Sequence, residues 1–461
     1  MILSNQIPRI STGNVGASLK WGALLAIIYC PLAFSAVSGE KASELGSKLT
    51  PSGAAKAGDA AIGLPEWSGG LPKDAGAVDS KGFLADPFAG EKPLYVITAA
   101  TASKYKEHLT PGQQALFKRY PETYQMPVYP SHRTVNFPQE WLDMTHANAT
   151  KVKLIEGGNG LENYAGGIPF PIPENGQEVI WNHLTAYRGD GYSRLVVQAT
   201  PQRDGSFVPV HFEDQILPFY AMSNPKGELQ LYRQIVTAPS RLAGNVLLLH
   251  DYLNQVDSPR QAWVYNAGQR RVRQAPQVAY DGPGTAADGL RTADNLDMFN
   301  GALDRYDWKL EGKKVIYIPT NSYRLDSPKL KYTDIIKPGH INPEFTRYEL
   351  HRVWHVTATL KPGARHIYAK REFFVDEDSW LIATVDHYDG RDALWRVAEG
   401  HAQFYYHQQL PSFTMDALYD LQSGRYLAMG LKNEEKHSWN FDSKPQERDF
   451  TPAAIRQTGI R

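Results

Sequence analysis

From about residue 192 onward, apolar residues recur at every second position, and turn residues interrupt the runs at short intervals. Period two is the pattern of a strand with one buried face, and closely spaced runs pair most readily with their chain neighbours. Residues 231–236, 246–252, 262–265 and 315–318 are runs of this kind. The clearest spans 347–360. Tyr348, Leu350, Trp354, Val356, Ala358 and Leu360 fall on one face, broken by Arg352, and Glu349, His351, His355, Thr357 and Thr359 fall on the other. Lys361-Pro362-Gly363 then turns the chain into 366–375, Asp376-Glu377-Asp378 into 379–388, and Asp389-Gly390 into 393–398, with 403–408 as a continuation. Short turns impose antiparallel pairing between neighbours, so these runs predict a long meander. No strand–helix–strand alternation, solenoid period or second full domain is visible. The expected class is mainly β (α+β).

Two helices are signalled ahead of the sheet. Thr110-Pro111-Gly112-Gln113 supplies an N-cap, a proline at the first helical position and a glutamine at the third; Ala115, Leu116, Phe117 and Tyr120 follow, and Pro121 ends the run. Asn175 caps a second helix, with Glu178 three residues on and an apolar face of Val179, Ile180, Trp181, Leu184 and Tyr187 to set against a sheet. Residues 39–95, rich in Gly, Ala, Pro and Ser, read as an extended arm with one short helix at 41–48. Pro121, Pro127, Pro130 and Pro138 make the following connection irregular. The glycines at 157, 158 and 160 do not form a phosphate loop, which needs a preceding strand, an immediate helix and a lysine in the Walker spacing. They read as turns leading into the stiff segment 165–173.

The N-terminus predicts export. Arg9 and Lys20 are its only charges, an apolar stretch runs over 21–34, and small residues at 33–38 offer a cleavage site. Pro31 breaks the stretch short of the roughly 20 apolar residues a membrane span needs. The expected division is a cleaved signal peptide at 1–38, an arm and helix at 39–140, and a body at 141–461. The single cysteine, Cys30, lies inside the leader, so the mature chain has no disulfide or thiolate chemistry. The 49 basic and 49 acidic residues of the full sequence balance, and loss of Arg9 and Lys20 leaves a faintly acidic chain. That is not the basic footprint of a nucleic-acid binder, nor a polybasic patch for anionic lipid. The aromatic content is high, with 25 Tyr, 17 Phe and 10 Trp, residues suited to sheets, grooves and wet interfaces.

A search for catalytic constellations assigns none. His351 and His355 have metalloprotease-like spacing without the glutamate or the helix, and read as a polar-face pair. No Gly-x-Ser-x-Gly elbow occurs. Asp376/Asp378 and Asp386/Asp389 could flank a glycosidic bond, but their places are hairpin turns, where Asp serves the backbone. The acidic stretch 288–307 lacks calcium-loop spacing. The basic cluster 269–273 reads as a solvated strand end. No metal ligand set and no cofactor is called for.

Several segments carry a resemblance: 45–58 (LGSKLTPSGAAKAG), 65–70 (PEWSGG), 126–133 (MPVYPSHR), 156–183 (EGGNGLENYAGGIPFPIPENGQEVIWNH), and the stretches 264–305 and 348–397. They resemble a family of exported Gram-negative proteins with a domain of unknown function, described as outer-membrane lipoprotein-sorting-like. The resemblance implies a fold like the lipoprotein carriers LolA and LolB: a curved antiparallel sheet, an unclosed barrel, covered by helices. It also implies a periplasmic location, a hydrophobic cargo, and as partners a resistance-nodulation-division type exporter and an outer-membrane β-barrel protein. The residues agree with a non-enzymatic carrier holding a lipid, sterol or terpenoid in an apolar groove lined by Trp181, Trp263, Trp308, Trp354 and Trp395. The competing expectations are a structural adaptor docking through the arm, with these aromatics as plain core, and an envelope hydrolase.

Overall fold

The computed structural model describes residues 36–459, so the signal peptide expected at 1–38 lies, up to residue 35, outside the described residues. The alternating runs form thirteen strands of one sheet. The first meander holds β1 (Tyr192–Ala199), β2 (Val210–Pro218), β3 (Glu228–Ala238), β4 (Val246–Tyr252), β5 (Gln261–Asn266) and β6 (Arg271–Gln274). The second holds β7 (Tyr306–Pro319), β8 (Tyr348–Leu360), β9 (Lys370–Asp376), β10 (Ile382–Tyr388), β11 (Leu394–Tyr405), β12 (Leu410–Asp420) and β13 (Tyr426–Leu431).

Each strand pairs antiparallel with the next in its meander, as short turns dictate. The meanders join where β13 lies beside β1: Ala428 faces Ala199, Met429 faces Gln198 and, past a bulge, Leu431 faces Val197. The sheet curves without closing, because β6 and β7 at its two ends do not pair with each other. A curved, unclosed antiparallel sheet with few helices is thus the fold that the meander and the resemblance predicted.

Both faces are covered. On one, α2 (Gln139–Asn148), α3 (Gly176–Leu184) and the strandless segment 276–305 bury Val356, Phe373, Val385, Ala398 and Leu418. On the other, α1 (Pro111–Arg119) and segment 325–345 bury Val397, Ala417, Tyr419 and Ala428, and α4 (Pro452–Gly459) packs against β4 and β5. The two signalled helices begin where their caps place them. Thr110 and Gln113 form a reciprocal capping box, and the Asn175 side chain accepts from the Glu178 amide.

Several boundaries differ from the sequence reading. The helix expected at 41–48 is only Gly39–Ala42, and α3 stops at Leu184 rather than reaching Tyr187. The run 366–375 pairs from Lys370, and 379–388 from Ile382. Residues 394–405 form one long strand, and β1, β2, β6, β12 and β13 lie outside the runs named above. Much of the polar face of 347–360 is buried too, with Glu349 0 %, His351 4 % and His355 7 % exposed, while Thr357 is half-buried and Thr359 exposed. The arm lies over it, so alternation there marks two packed faces rather than one wet one.

Candidate functional site

On the face covered by α2, α3 and segment 276–305, the direct cross-strand row Arg194, Asp214, Gln234 runs over β1, β2 and β3. The Arg194 Nε donates to Asp214 Oδ2 at 3.1 Å, and Gln234 Nε2 donates to Asp214 Oδ1 at 3.0 Å and to the Tyr232 hydroxyl at 2.9 Å. Burial raises the Asp214 carboxyl above its usual range, against the pull of Arg194. A polar row in the interior of a sheet is costly unless every group finds a partner, so its occurrence calls for a reason.

The segment 276–305 lies over this row and is tied down at three places. At the first, Arg371 Nη2 donates to Asp294 Oδ2 at 2.6 Å, with His366 Nε2 3.1 Å from the same oxygen. Burial alone would raise Asp294, but the guanidinium and the imidazole hold it well below the usual carboxylate range. Further along, Arg188 Nη2 donates to Asp297 Oδ2 at 3.1 Å, and His183 Nε2 lies 2.9 Å from the Asp297 carbonyl oxygen. The Ile382 amide donates to His183 Nδ1, so this imidazole is neutral with its proton on Nε2. Burial, then Arg188, lower its pKa to about 4. At the third tie, Gln198 Nε2 donates to the carbonyls of Thr285 and Ala286.

Between these ties and the sheet is a cavity of about 140 Å³. Leu247, Leu249, Val264, Val278 and Leu296 give it an apolar wall. Leu247, Val264 and Val278 are only half-buried, which puts the mouth between β4, β5 and the covering segment. At the inner end are Gln234 and Arg291. Arg291 is 4 % exposed, and its guanidinium has no hydrogen bond or ion pair among the described residues. It lies flat on Gly284, where a Cβ would come within 2.7 Å of its Cζ, so only glycine permits that placement. Burial depresses its pKa, opposed by Tyr232, Asp416 and Asp214.

Gln234 and Leu296 separate this cavity from a void of about 20 Å³ lined by Arg194, Asp214, Asp297 and Asp416. Asp416 is 4 % exposed and makes no hydrogen bond through its Oδ1 among the described residues. Burial and then Asp297 push its carboxyl up to about 8, so it is largely protonated at neutral pH. The interior therefore pairs an apolar mouth with a charged floor in which one guanidinium is left over. Such a site can hold an apolar group and neutralise an anion attached to it.

The five tryptophans are distributed differently. Trp181, Trp308 and Trp354 belong to the core beneath α3: the Trp181 indole donates to Gly158 O, Trp308 packs on Phe299 and Phe373, and Trp354 stacks on Trp380. Trp395 donates to Asp420 Oδ2 at 3.1 Å, near the Asp294 tie. Trp263 sits on the opposite face, against His250 and α4. None of the five lines the cavity.

The acid pairs are also placed differently from the sequence reading. Asp386 is not in a turn but within β10, where it accepts the Gly112 amide at 2.8 Å and is pushed up to about 7 by burial. Asp389 does sit in a turn, accepting from the amides of Arg391 and Ala393. Asp376 closes β9 and Asp378 lies in the turn that follows, and both are buried. Arg291, Asp416 and Gln234 escaped the sequence reading. The only signal near them was the acidic stretch 288–307, whose Asp294 and Asp297 anchor the covering segment.

Residues 96–456 match the family described as "Protein of unknown function (DUF1329)". An uncharacterized protein of Pseudomonas aeruginosa is 60 % identical over 448 residues, spanning 96 % of this chain and 98 % of that one. Among solved structures, a putative outer membrane lipoprotein-sorting protein domain from Vibrio parahaemolyticus aligns at TM-score 0.42 and 12 % identity, covering 59 % of this chain and 94 % of that one. A DUF1329 family protein from Desulfovibrio piger aligns at TM-score 0.41 and 14 % identity, covering 58 % and 92 %. No helix among the described residues is long and apolar enough to cross a membrane.

Proposed function

The chain belongs to the DUF1329 family of proteins of unknown function, and within that family we propose that it is a periplasmic carrier for a small amphiphile. The ligand's apolar end occupies the cavity wall of Leu247, Leu249, Val264 and Val278, and its anionic end meets Arg291. The observation that carries this reading is the unpartnered, buried Arg291 guanidinium at the end of an apolar cavity. A buried cation without a partner costs several kcal/mol in principle, and a ligand carboxylate or phosphate offsets that cost. A cavity of this size suits a ring or a short chain; an engineered apolar cavity of about 150 Å³ takes up benzene. Of the expected lipid, sterol or terpenoid classes, the site thus seats one end of the molecule while the rest leaves through the mouth. Binding and release suffice for this role, and no bond need be broken. The exporter and outer-membrane barrel implied by the resemblance are the proposed donor and acceptor.

Titration calorimetry tests the reading, using alkanoates of increasing length and the matching alcohols on the chain purified without detergent. The expected result is saturable binding near one molecule per chain, with carboxylates preferred. Arg291→Met weakens carboxylate binding by roughly 10- to 100-fold, the loss of one charge-assisted contact, and leaves the alcohols unchanged. No binding of either series by folded protein sinks the carrier. One observation favours the adaptor instead: Leu94, Tyr95 and Val96 are 63 %, 37 % and 39 % exposed at the short strand Tyr95–Ile97. A photocrosslinker at Tyr95 that captures one envelope protein, in a chain that binds no amphiphile, moves the assignment there.

A further inference from the structure

A second constellation lies away from the cavity, where β8, the end of β9 and the β9–β10 turn meet the N-terminal arm. The Nδ1 or Nε2 of His351 and one carboxylate oxygen from each of Asp376 and Asp378 lie within 4.8 Å of one another, and all three residues are buried. His351 Nε2 is 3.1 Å from Glu349 Oε2, which assigns a ring proton to Nε2; in the neutral imidazole Nδ1 then has a free lone pair. That nitrogen is 3.7 Å from Asp376 Oδ1, too far for a hydrogen bond. Asp376 is 6 % exposed, and its Oδ1 has no hydrogen-bond partner among the described residues, although its Oδ2 accepts from both the amide and the hydroxyl of Ser379.

The surrounding charges do not balance at this point. Arg347 bridges Glu91 and Glu349, Lys313 and Arg352 both meet Glu377, and Arg133 grips Asp378 through Nε and Nη2 at 2.9 and 2.6 Å. Among these carboxylates, Asp376 is the one with no lysine or arginine ion pair. The second lone pairs on the Asp378 oxygens are still available beside Arg133.

We propose that His351 Nδ1, Asp376 Oδ1 and Asp378 bind a first-row divalent metal ion of the zinc or cobalt type. One imidazole and two carboxylates form a donor set that such ions accept, with an open position for water. Glu349 acts from behind the ring, holding the imidazole tautomer and orientation, as carboxylates commonly do at metal-bound histidines. The ion would also clamp the arm. The Ala55 amide reaches Glu377 at 3.4 Å, Arg133 joins Asp378, and the Trp380 indole donates to Ser52 O at 2.9 Å, so the arm closes over the strand end and turn that supply the two aspartates.

The test is elemental analysis of the purified chain, followed by chelator stripping and titration with Co²⁺ while the visible absorption is followed. One Co²⁺ per chain with a d–d band is expected. Asp376→Asn and His351→Gln lose the band while their circular dichroism stays native, and His355→Gln, further along the same strand face, keeps it. Absence of bound metal and of any band in folded wild-type protein overturns the proposal, as does a band that survives both substitutions. In that case an imidazolium at His351, visible in its nitrogen chemical shifts, is the partner of Asp376.

Discussion

Asp416 carries the sharpest consequence at the scale of the residue. Burial, with Asp297 nearby, raises its folded pKa to about 8, against roughly 3.9 for an unfolded aspartate. The folded chain therefore holds this proton more tightly than the unfolded chain, and the associated stability is complete below about pH 4 and is lost as the pH climbs toward 8. Asp416→Asn keeps the shape and removes the titration. Urea unfolding should find the variant more stable than wild type by about 1–3 kcal/mol at about pH 8, and nearly equal at about pH 4. His183 acts at the other limit. Its pKa is lowered to about 4, so its contribution fades as the pH falls from about 6.5. Neither residue stood out in the sequence, because an acid in a strand or a histidine on a helix does not announce what lies above it.

Among the elements, α1 shows local chemistry and tertiary packing meeting at one turn. Thr110 Oγ1 accepts from the Gln113 amide at 3.1 Å, Gln113 Oε1 accepts from the Thr110 amide at 3.1 Å, and Asp386 of β10 accepts the Gly112 amide at 2.8 Å. The Thr-Pro-Gly-Gln pattern predicted the first two bonds, and only the sheet supplies the third. A Cβ at Gly112 would sit 2.0 Å from Asp386 Oδ1, so Gly112 is there for close approach. Thr110→Ala should cost about 1 kcal/mol in chemical denaturation, the usual loss of a side-chain cap, and Gly112→Ala more than that despite its better helix propensity. The covering segment 276–305 is the opposite case. It has no period, and its course is set by Asp294, Asp297 and the carbonyls of Thr285 and Ala286. The expected helix at 41–48 ends at Ala42, and it could not have run through Gly46, which adopts φ +81° and turns the chain.

For the whole molecule, the two meanders differ in how well they are enclosed. Residues of β10 and β12 are buried throughout, whereas β5 mixes buried and exposed positions, and β6 is largely exposed. The two halves also meet along a short seam between β13 and β1. Hydrogen exchange followed by mass spectrometry should therefore show 246–274 opening at lower free energy than 382–420. Saturation with a cavity ligand should slow the first region selectively, since its wall includes Leu247, Leu249 and Val264. The sequence by itself determined the alternation, the turns, the antiparallel order they enforce, two helix starts and the family resemblance, because each of these rests on contacts a few residues apart or on motif identity. Only the tertiary structure decided which faces are wet. It buried Glu349 and His351 on the polar side of 347–360 under the arm, separated Trp263 from Trp181, Trp308 and Trp354 by the thickness of the sheet, and brought Arg291 and Asp416 into one interior. Strand periodicity states that successive side chains point to opposite faces, but what covers each face comes from segments far away in the chain, and burial there is what leaves a guanidinium without a partner.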